Sequence, residues 1–182
     1  MRIVAGAHRG RPLVAPKGHS TRPTADRVRQ ALFNVLEHAA WAPDLAGARV
    51  LDLFAGSGAL GLEAVSRGAA FCLLADTDAA ARQAILANIN ALKLGDRARV
   101  EPRDATRLGP RPSSHGAAFA LAFLDPPYGR GLAERALPVM IDGDWLAAGA
   151  LVVVERGADE APLVSPGYEI LDTRQWGAAR VW

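Results

Sequence analysis

The sequence predicts one α/β domain on a doubly wound, seven-stranded, mostly parallel sheet, with a small hairpin extension in front of it. Three observations lead there. From residue 48 onward, short apolar runs alternate with stretches of helical periodicity. Two of those runs end in chemically pointed motifs, Asp52-Leu53-Phe54-Ala55-Gly56-Ser57-Gly58 and Asp125-Pro126-Pro127-Tyr128, as strands do when their carboxyl ends meet a ligand. With 182 residues, 50% of them hydrophobic and 22% charged, the chain can bury one sizeable core.

Residues 1–23 hold two short extended pieces, Arg2-Ile3-Val4 and Pro12-Leu13-Val14, broken by Gly6, Gly10, Pro16, Gly18 and Pro23, which predicts the hairpin. Thr24 reads as the N-cap of a helix running from Ala25 to about Ala40 and opening the main domain, 24–182. Val28, Ala31, Leu32, Val35 and Leu36 recur at helical spacing, with Arg27 and Arg29 off that stripe and so on the solvent side. Strands are expected at 48–54, 70–75, 98–101, 117–124 and 149–154, and helices at 59–67, 79–92 and 131–140. Two closing strands, 168–172 and 178–182, are joined too briefly for a crossover and must be antiparallel neighbours.

The single cysteine, Cys72, lies inside an apolar run and reads as a buried small hydrophobe. No apolar stretch is long enough for a membrane span and the start lacks a signal-peptide core, so a reducing cytoplasm is the expected setting. His8, His19, His38 and His115 are scattered without ligand spacing; each reads as a surface residue, and no metal is expected. Net charge is only +2, but its distribution is uneven: residues 1–30 carry seven basic groups against one acid, and the other 152 carry fourteen against eighteen. A basic arm on a mildly acidic body is the footprint of phosphate-backbone contact, and charge scattered on a solvated face is the bland alternative.

Gly56-Ser57-Gly58-Ala59-Leu60-Gly61 matches G-x-G-x-x-G between a strand and a helix, with Asp76 twenty residues beyond Gly56. Alone, this would suit a dinucleotide. Asp52, facing the turn, would meet a pyrophosphate as a like charge, at about 4 kcal/mol for contact at an effective dielectric near 20. S-adenosylmethionine instead offers an ammonium and a sulfonium, so Asp52 favours that donor. Asp76 can accept the ribose hydroxyls, Asp104 the adenine amino group, and the Ala105 backbone can donate to the ring; Asp78 reads as a helix cap and a turn residue is the plain alternative for Asp104.

Asp125-Pro126-Pro127-Tyr128 is the most specific signal. An exocyclic amine on a base is a poor nucleophile because its lone pair is delocalised into the ring. Acceptance of its two N–H groups by the Asp125 carboxylate and the Pro126 carbonyl would leave the lone pair aimed at a methyl group. The prolines hold that acceptor pair, so the gain is orientation and preorganised electrostatics. Tyr128 would stack on the base and present its face to the sulfonium.

The segments Arg2-Ile3-Val4-Ala5-Gly6, Arg9-Gly10-Arg11, Thr21 to Asn34, Leu51 to Arg67 and Asp125 to Tyr128 resemble the bacterial small-subunit ribosomal RNA guanine-N2 methyltransferases of the RsmD type. Asp-Pro-Pro-Tyr is shared with DNA adenine and glutamine methyltransferases; the stretch Arg22-Pro23-Thr24-Ala25-Asp26-Arg27-Val28-Arg29 is the specific part. The resemblance implies a Rossmann-like class I methyltransferase sheet, S-adenosylmethionine as donor, and the 2-amino group of a guanine in small-subunit RNA, naked or in an assembling 30S subunit, as acceptor. A monomer with no metal and no membrane partner is expected. The expected donor-binding set is Thr24, Asp52, Phe54, Ala55, Gly56, Gly58, Asp76, Thr77, Asp104 and Ala105; the catalytic set is Asp125, Pro126, Pro127 and Tyr128; the RNA-contacting set is Arg9, Arg11, Lys17, Arg22, Arg27 and Arg29. Two positions depart from the family: Asp76 stands where a glutamate is usual, and Trp176 where a tyrosine is usual. A DNA adenine methyltransferase would normally need a further target-recognition segment. A nicotinamide oxidoreductase leaves Asp125 to Tyr128 unexplained, and a catalytically silent RNA-binding assembly factor would not need the intact acceptor motif.

Overall fold

A computed structural model describes residues 1–16 and 24–182, without the side chains of Thr24 and Ala25. Lys17 and Arg22, and the capping and donor roles expected of the Thr24 side chain, lie outside the described residues. The elements are α1 (Thr24–His38), β1 (Arg49–Leu53), α2 (Ala59–Ser66), β2 (Phe71–Ala75), α3 (Ala79–Leu92), β3 (Ala98–Glu101), β4 (Phe119–Leu124), α4 (Leu132–Asp142), β5 (Leu146–Gly157), β6 (Arg174–Trp176) and β7 (Ala179–Val181). They form one seven-stranded sheet in the order β3-β2-β1-β4-β5-β7-β6. The first five strands in that order are parallel and β7 alone runs against its neighbours, as the sequence led one to expect.

The sheet is buried on both faces because its strands are apolar in nearly every position. Val50, Cys72, Leu74, Leu121 and Phe123 meet Phe33 of α1, Leu62 of α2 and Ile85 and Ile89 of α3 on one side. Leu51, Leu53, Leu73, Ala122 and Leu124 meet Ala133, Leu137 and Met140 of α4 with Trp145 on the other. Cys72 is fully buried and burial pushes its thiol up. No described helix is long and apolar enough to cross a membrane.

The N-terminal arm is bolted to this body. Ile3 N donates to Arg11 O at 2.9 Å and Leu13 N to Met1 O at 3.0 Å, closing an antiparallel bridge between Arg2 and Pro12. Ile3 and Leu13 are buried in the core. Gly6 has φ +78°, and a Cβ there would sit 2.0 Å from the Ser66 carbonyl oxygen, so only glycine permits this approach. Glu63, wholly buried on α2, accepts from Val4 N at 2.7 Å, Ala5 N at 2.9 Å and Arg67 Nε at 2.8 Å.

Three expectations are corrected here. Arg29 is 4% exposed, not on the solvent side. It donates to Asp26 at 2.8 Å and to the Arg2 carbonyl, and its Nε stands 3.5 Å from Glu63, so it belongs to the buried clasp and not to an RNA-contacting face. A buried guanidinium persists only when paired in this way. His115 is also buried, with Nε2 2.9 Å from Glu101 Oε1 and its ring against Trp145, and is not a surface residue. Residues 168–172 form no strand: the chain turns at Pro166-Gly167, Tyr168 Oη donates to Leu137 O at 2.7 Å, and the strand pairing with β7 is the shorter β6. The 149–154 run is part of a longer β5, with a register irregularity opposite Phe119–Leu121.

Candidate active site

The expected residues converge at the carboxyl edge of the sheet. β1 and β2 run side by side with Leu53 opposite Ala75, and β1 and β4 with Leu53 opposite Leu124. Phe54, Asp76 and Asp125 therefore leave neighbouring strands at one level, where open α/β sheets hold their ligands.

Phe54 adopts φ +60°, a left-handed conformation rarely taken by an aromatic residue. That strain, of order 1–3 kcal/mol, turns the chain sharply out of β1 into the glycine turn. Ala55 N donates to Ala75 O at 3.1 Å and Gly58 N to Ala55 O at 2.7 Å. Gly56, at φ +56°, has no atom within 4 Å of where a Cβ would stand, so one flank of the turn is open space. Gly58 and Gly61 serve packing instead: a Cβ on Gly58 would stand 2.8 Å from Leu74, and one on Gly61 2.5 Å from Cys72 Sγ and 2.9 Å from Asp52 Oδ2.

Asp52 lies beneath the turn and not in it, which corrects the expectation that it faces a ligand directly. It is 1% exposed and its Oδ2 accepts from Gly61 N at 2.8 Å. Burial pushes its carboxyl well above the usual carboxylate range; the Gly61 N–H opposes this, and the Asp125 and Asp76 charges add to it. Its role is to brace the first turn of α2 against β1.

Asp76 is half-buried at the end of β2 and organises the rim. Its Oδ2 accepts from Gly56 N and its Oδ1 from Asp78 N, both at 2.9 Å. Asp78 caps α3, accepting from Ala80 N at 2.8 Å. Thr77 is exposed, and its carbonyl accepts from Arg82 at 2.7 Å. Asp104 accepts from Thr106 N at 2.9 Å and Thr106 Oγ1 at 2.7 Å, and from Arg107 Nε at 3.0 Å. Those Thr106 bonds, with Arg107, hold its carboxyl below the usual value, leaving it an ionised acceptor beside the buried Ala105.

Asp125 opens to the cleft, while Pro126 behind it is buried. Desolvation by the surrounding protein, with the Glu155 charge adding its repulsion, pushes the Asp125 carboxyl up to about 7. Tyr128 is 46% exposed and its Oη donates to Glu155 Oε1 at 2.6 Å. The loop is clamped from both ends. Arg156, 5% exposed, pairs with Glu134 of α4 at 2.6 Å and Glu160 at 3.2 Å, and Glu160 also accepts from Gly157 N at 2.8 Å.

Glu155, Arg156, Glu160 and Glu63 were not singled out from the sequence. Glu155 had a signal of the same kind as Asp125, an acid directly after an apolar strand run; the others had none. Asn88, buried on α3, is another: its Nδ2 donates to Ser57 O and to Val14 O at 2.9 Å each, tying the arm to the glycine turn. Arg9, Arg11 and Arg27 are exposed, and Arg11 Nη2 donates to Ala91 O at 3.0 Å. A concavity of about 930 Å³ lies away from this edge, between α1 and the C-terminal segment. Its walls are mainly aliphatic (Leu32, Val35, Leu151, Ile170) and it gathers none of the strand-end carboxylates. No group of metal-ligating side chains occurs among the described residues.

A family model described as Conserved hypothetical protein 95 matches residues 1–182. Ribosomal RNA small subunit methyltransferase D of Escherichia coli strain K12 is 43% identical over 171 residues, covering 93% of this chain and 82% of that protein. A solved Escherichia coli structure described as a methyltransferase superposes with a TM-score of 0.81 at 36% identity, covering 100% of this chain and 94% of the other. A more distant methyltransferase solved in complex with SAH, SMU.776, shares the fold at a TM-score of 0.61 and 17% identity, over 88% of this chain and 49% of that one. The strand order, the strand-end residues and these likenesses agree: the chain belongs to the Conserved hypothetical protein 95 family, as an RsmD-type methyltransferase with the class I methyltransferase fold.

Proposed function

We propose that this protein methylates the 2-amino group of a guanine in small-subunit ribosomal RNA, with S-adenosylmethionine as donor. The observation that carries the reading is the β1–β4 register, which sets the strained glycine turn and Asp125-Pro126-Pro127-Tyr128 side by side at one end of the sheet. The ribosomal RNA methyltransferase named among its relatives supports the RNA class.

The residues present fit the donor. The open flank at Gly56 leaves room for its methionine part against backbone N–H groups, Asp76 is poised for ribose hydroxyls, and Asp104 with the Ala105 N–H for the adenine edge. When bound, the donor supplies an electrophilic methyl group on a sulfonium. The protein's part is orientation. The Asp125 carboxylate and the Pro126 carbonyl accept the two N–H groups of the amine, which frees its lone pair along the transfer direction. Tyr128 walls the base, and the loop clamp through Arg156 keeps both acceptors from moving with it. The amine becomes far more acidic once alkylated, and Asp125 Oδ is the nearest base to take its proton.

Exposed Arg9, Arg11 and Arg27 supply cations for backbone phosphates. The deciding experiment is methylation of small-subunit RNA and of 30S subunits from cells lacking the protein, using labelled donor and identifying the product nucleoside by mass. N2-methylguanosine is expected; N6-methyladenosine, or no transfer to either substrate, overturns the reading.

A further inference from the structure

We infer that Glu155 is the specificity-determining residue of this site, its carboxylate accepting the ring N1–H of guanine while Asp125 accepts the 2-amino group. This rests on the guanine-N2 reading above and adds the means by which the base is chosen.

β4 and β5 are parallel, with Ala122 opposite Val152, Phe123 opposite Val153 and Leu124 opposite Val154. Extending that register by one position sets Asp125 against Glu155, whose charge acts on it. Adjacent strands lie about 4.8 Å apart, and side chains alternate in face. Leu124 and Val154 enter one core cluster and Phe123 and Val153 the other, so Asp125 and Glu155 leave on the same face, side by side. Two carboxylates paired across strands repel and do nothing for the fold. Their repulsion is relieved by a neutral group presenting two adjacent N–H donors.

Guanine carries such an edge, with N1–H beside the 2-amino group. Adenine carries its amine beside a bare ring nitrogen whose lone pair would face the Glu155 carboxylate. A site built to accept a hydrogen bond disfavours an analogue that cannot donate it, because the bare ring nitrogen then faces the carboxylate lone pair for lone pair. Glu155 is held for this use. Tyr128 Oη donates to its Oε1 at 2.6 Å, a charge-assisted bond that fixes the carboxylate plane. Tyr128 itself reaches that position over Gly157, where a Cβ would stand 3.4 Å from Tyr128 Cδ2 and 3.1 Å from Glu160 Oε1. The two acceptors together occupy the base-pairing edge of guanine, so the target base must be unpaired when it binds.

2-Aminopurine separates the two contacts, since it keeps the 2-amino group and lacks N1–H. The wild-type product is mapped first, and subunits are then reconstituted with 2-aminopurine at that position. Single-turnover rates are compared for wild type and Glu155→Gln, with donor affinity by calorimetry as a check on folding. Wild type is expected to be at least about tenfold slower on 2-aminopurine than on guanine. Glu155→Gln is expected to lose at least about tenfold on guanine and to narrow or invert that ratio, because its amide can donate to the bare nitrogen; a residue that merely supported the loop would slow both substrates alike. Equal wild-type rates on the two bases overturn the inference even if the variant does not fold, and so does equal slowing by Glu155→Gln. A wild-type product other than N2-methylguanosine overturns the underlying reading, and the inference with it.

Discussion

Asp125→Asn isolates the charge of the acceptor motif at constant size. Asp125 faces the open cleft and no described hydrogen bond of the fold depends on its carboxylate, so the substitution leaves the β4 end and the Arg156 clamp in place. Hydrogen bonds to a charged group are worth about 1.5–3 kcal/mol, which is about 10- to 150-fold in rate; loss of a preorganised transition-state contact costs about 10²–10³. The expected loss in single-turnover rate is therefore about 30- to 1,000-fold, with donor affinity within about twofold. The pH profile provides the second readout. Crowding by protein and the Glu155 charge raise the Asp125 carboxyl to about 7, so the acceptor is ionised only above that pH. The wild-type rate should rise with pH through about 7 and then level, Glu155→Gln should move the inflection down by removing the repulsion, and Asp125→Asn should show no inflection there. The same shift has a stability consequence of opposite sense. A carboxyl raised in the folded state holds its proton when the unfolded chain has lost it, so between about 4 and about 7 the folded state binds more protons and wild type loses stability relative to Asp125→Asn as pH rises. Single-turnover transfer to unmodified subunits from pH 5.5 to 9, with urea unfolding across the same range, measures both. A flat wild-type profile together with an Asp125→Asn rate within threefold of wild type refutes the orientation mechanism.

Asp76→Ala should weaken donor binding by about 1–3 kcal/mol in calorimetry, since it removes the acceptor for Gly56 N and Asp78 N as well as the expected ribose contact. Changing Arg9, Arg11 and Lys17 together to Ala should weaken RNA binding and flatten its salt dependence, by about 0.7 in slope per phosphate lost from a single strand, with donor affinity unchanged; equal slopes would make the arm a purely structural element. Removing residues 1–20 is a poorer test, because it strips Ile3 and Leu13 from the core and the Val4 and Ala5 donors from Glu63. Gly61→Ala should destabilise by about 1–3 kcal/mol in urea unfolding, as its Cβ would stand 2.5 Å from Cys72 Sγ, and Cys72→Ala should recover part of that loss; additive effects of the pair would contradict the packing account.

The sequence by itself determined the alternation of strands and helices, the mostly parallel sheet, and the two motifs that end β1 and β4, because hydrophobic period, glycine turns and proline-stiffened strand ends are local properties. It also placed Phe54, Asp76 and Asp125 at one edge, since a parallel sheet delivers every strand end to one side. Tertiary structure decided what each charge does there. Asp52 reads from the sequence as a ligand-facing anion, and the packing of α2 over β1 turns it to Gly61 N. Arg29 reads as a solvent-facing cation, and the folding of the arm onto Glu63 encloses it. His115 meets Glu101 across fourteen residues, and residues 168–172 have strand-like composition but no ladder to join. Glu155 gains its place beside Asp125 from the β4–β5 register, a relation between residues thirty positions apart that neither strand encodes alone. Periodicity tells which side of an element is apolar; only the assembled fold tells which partner a polar group finds once water has been removed from around it.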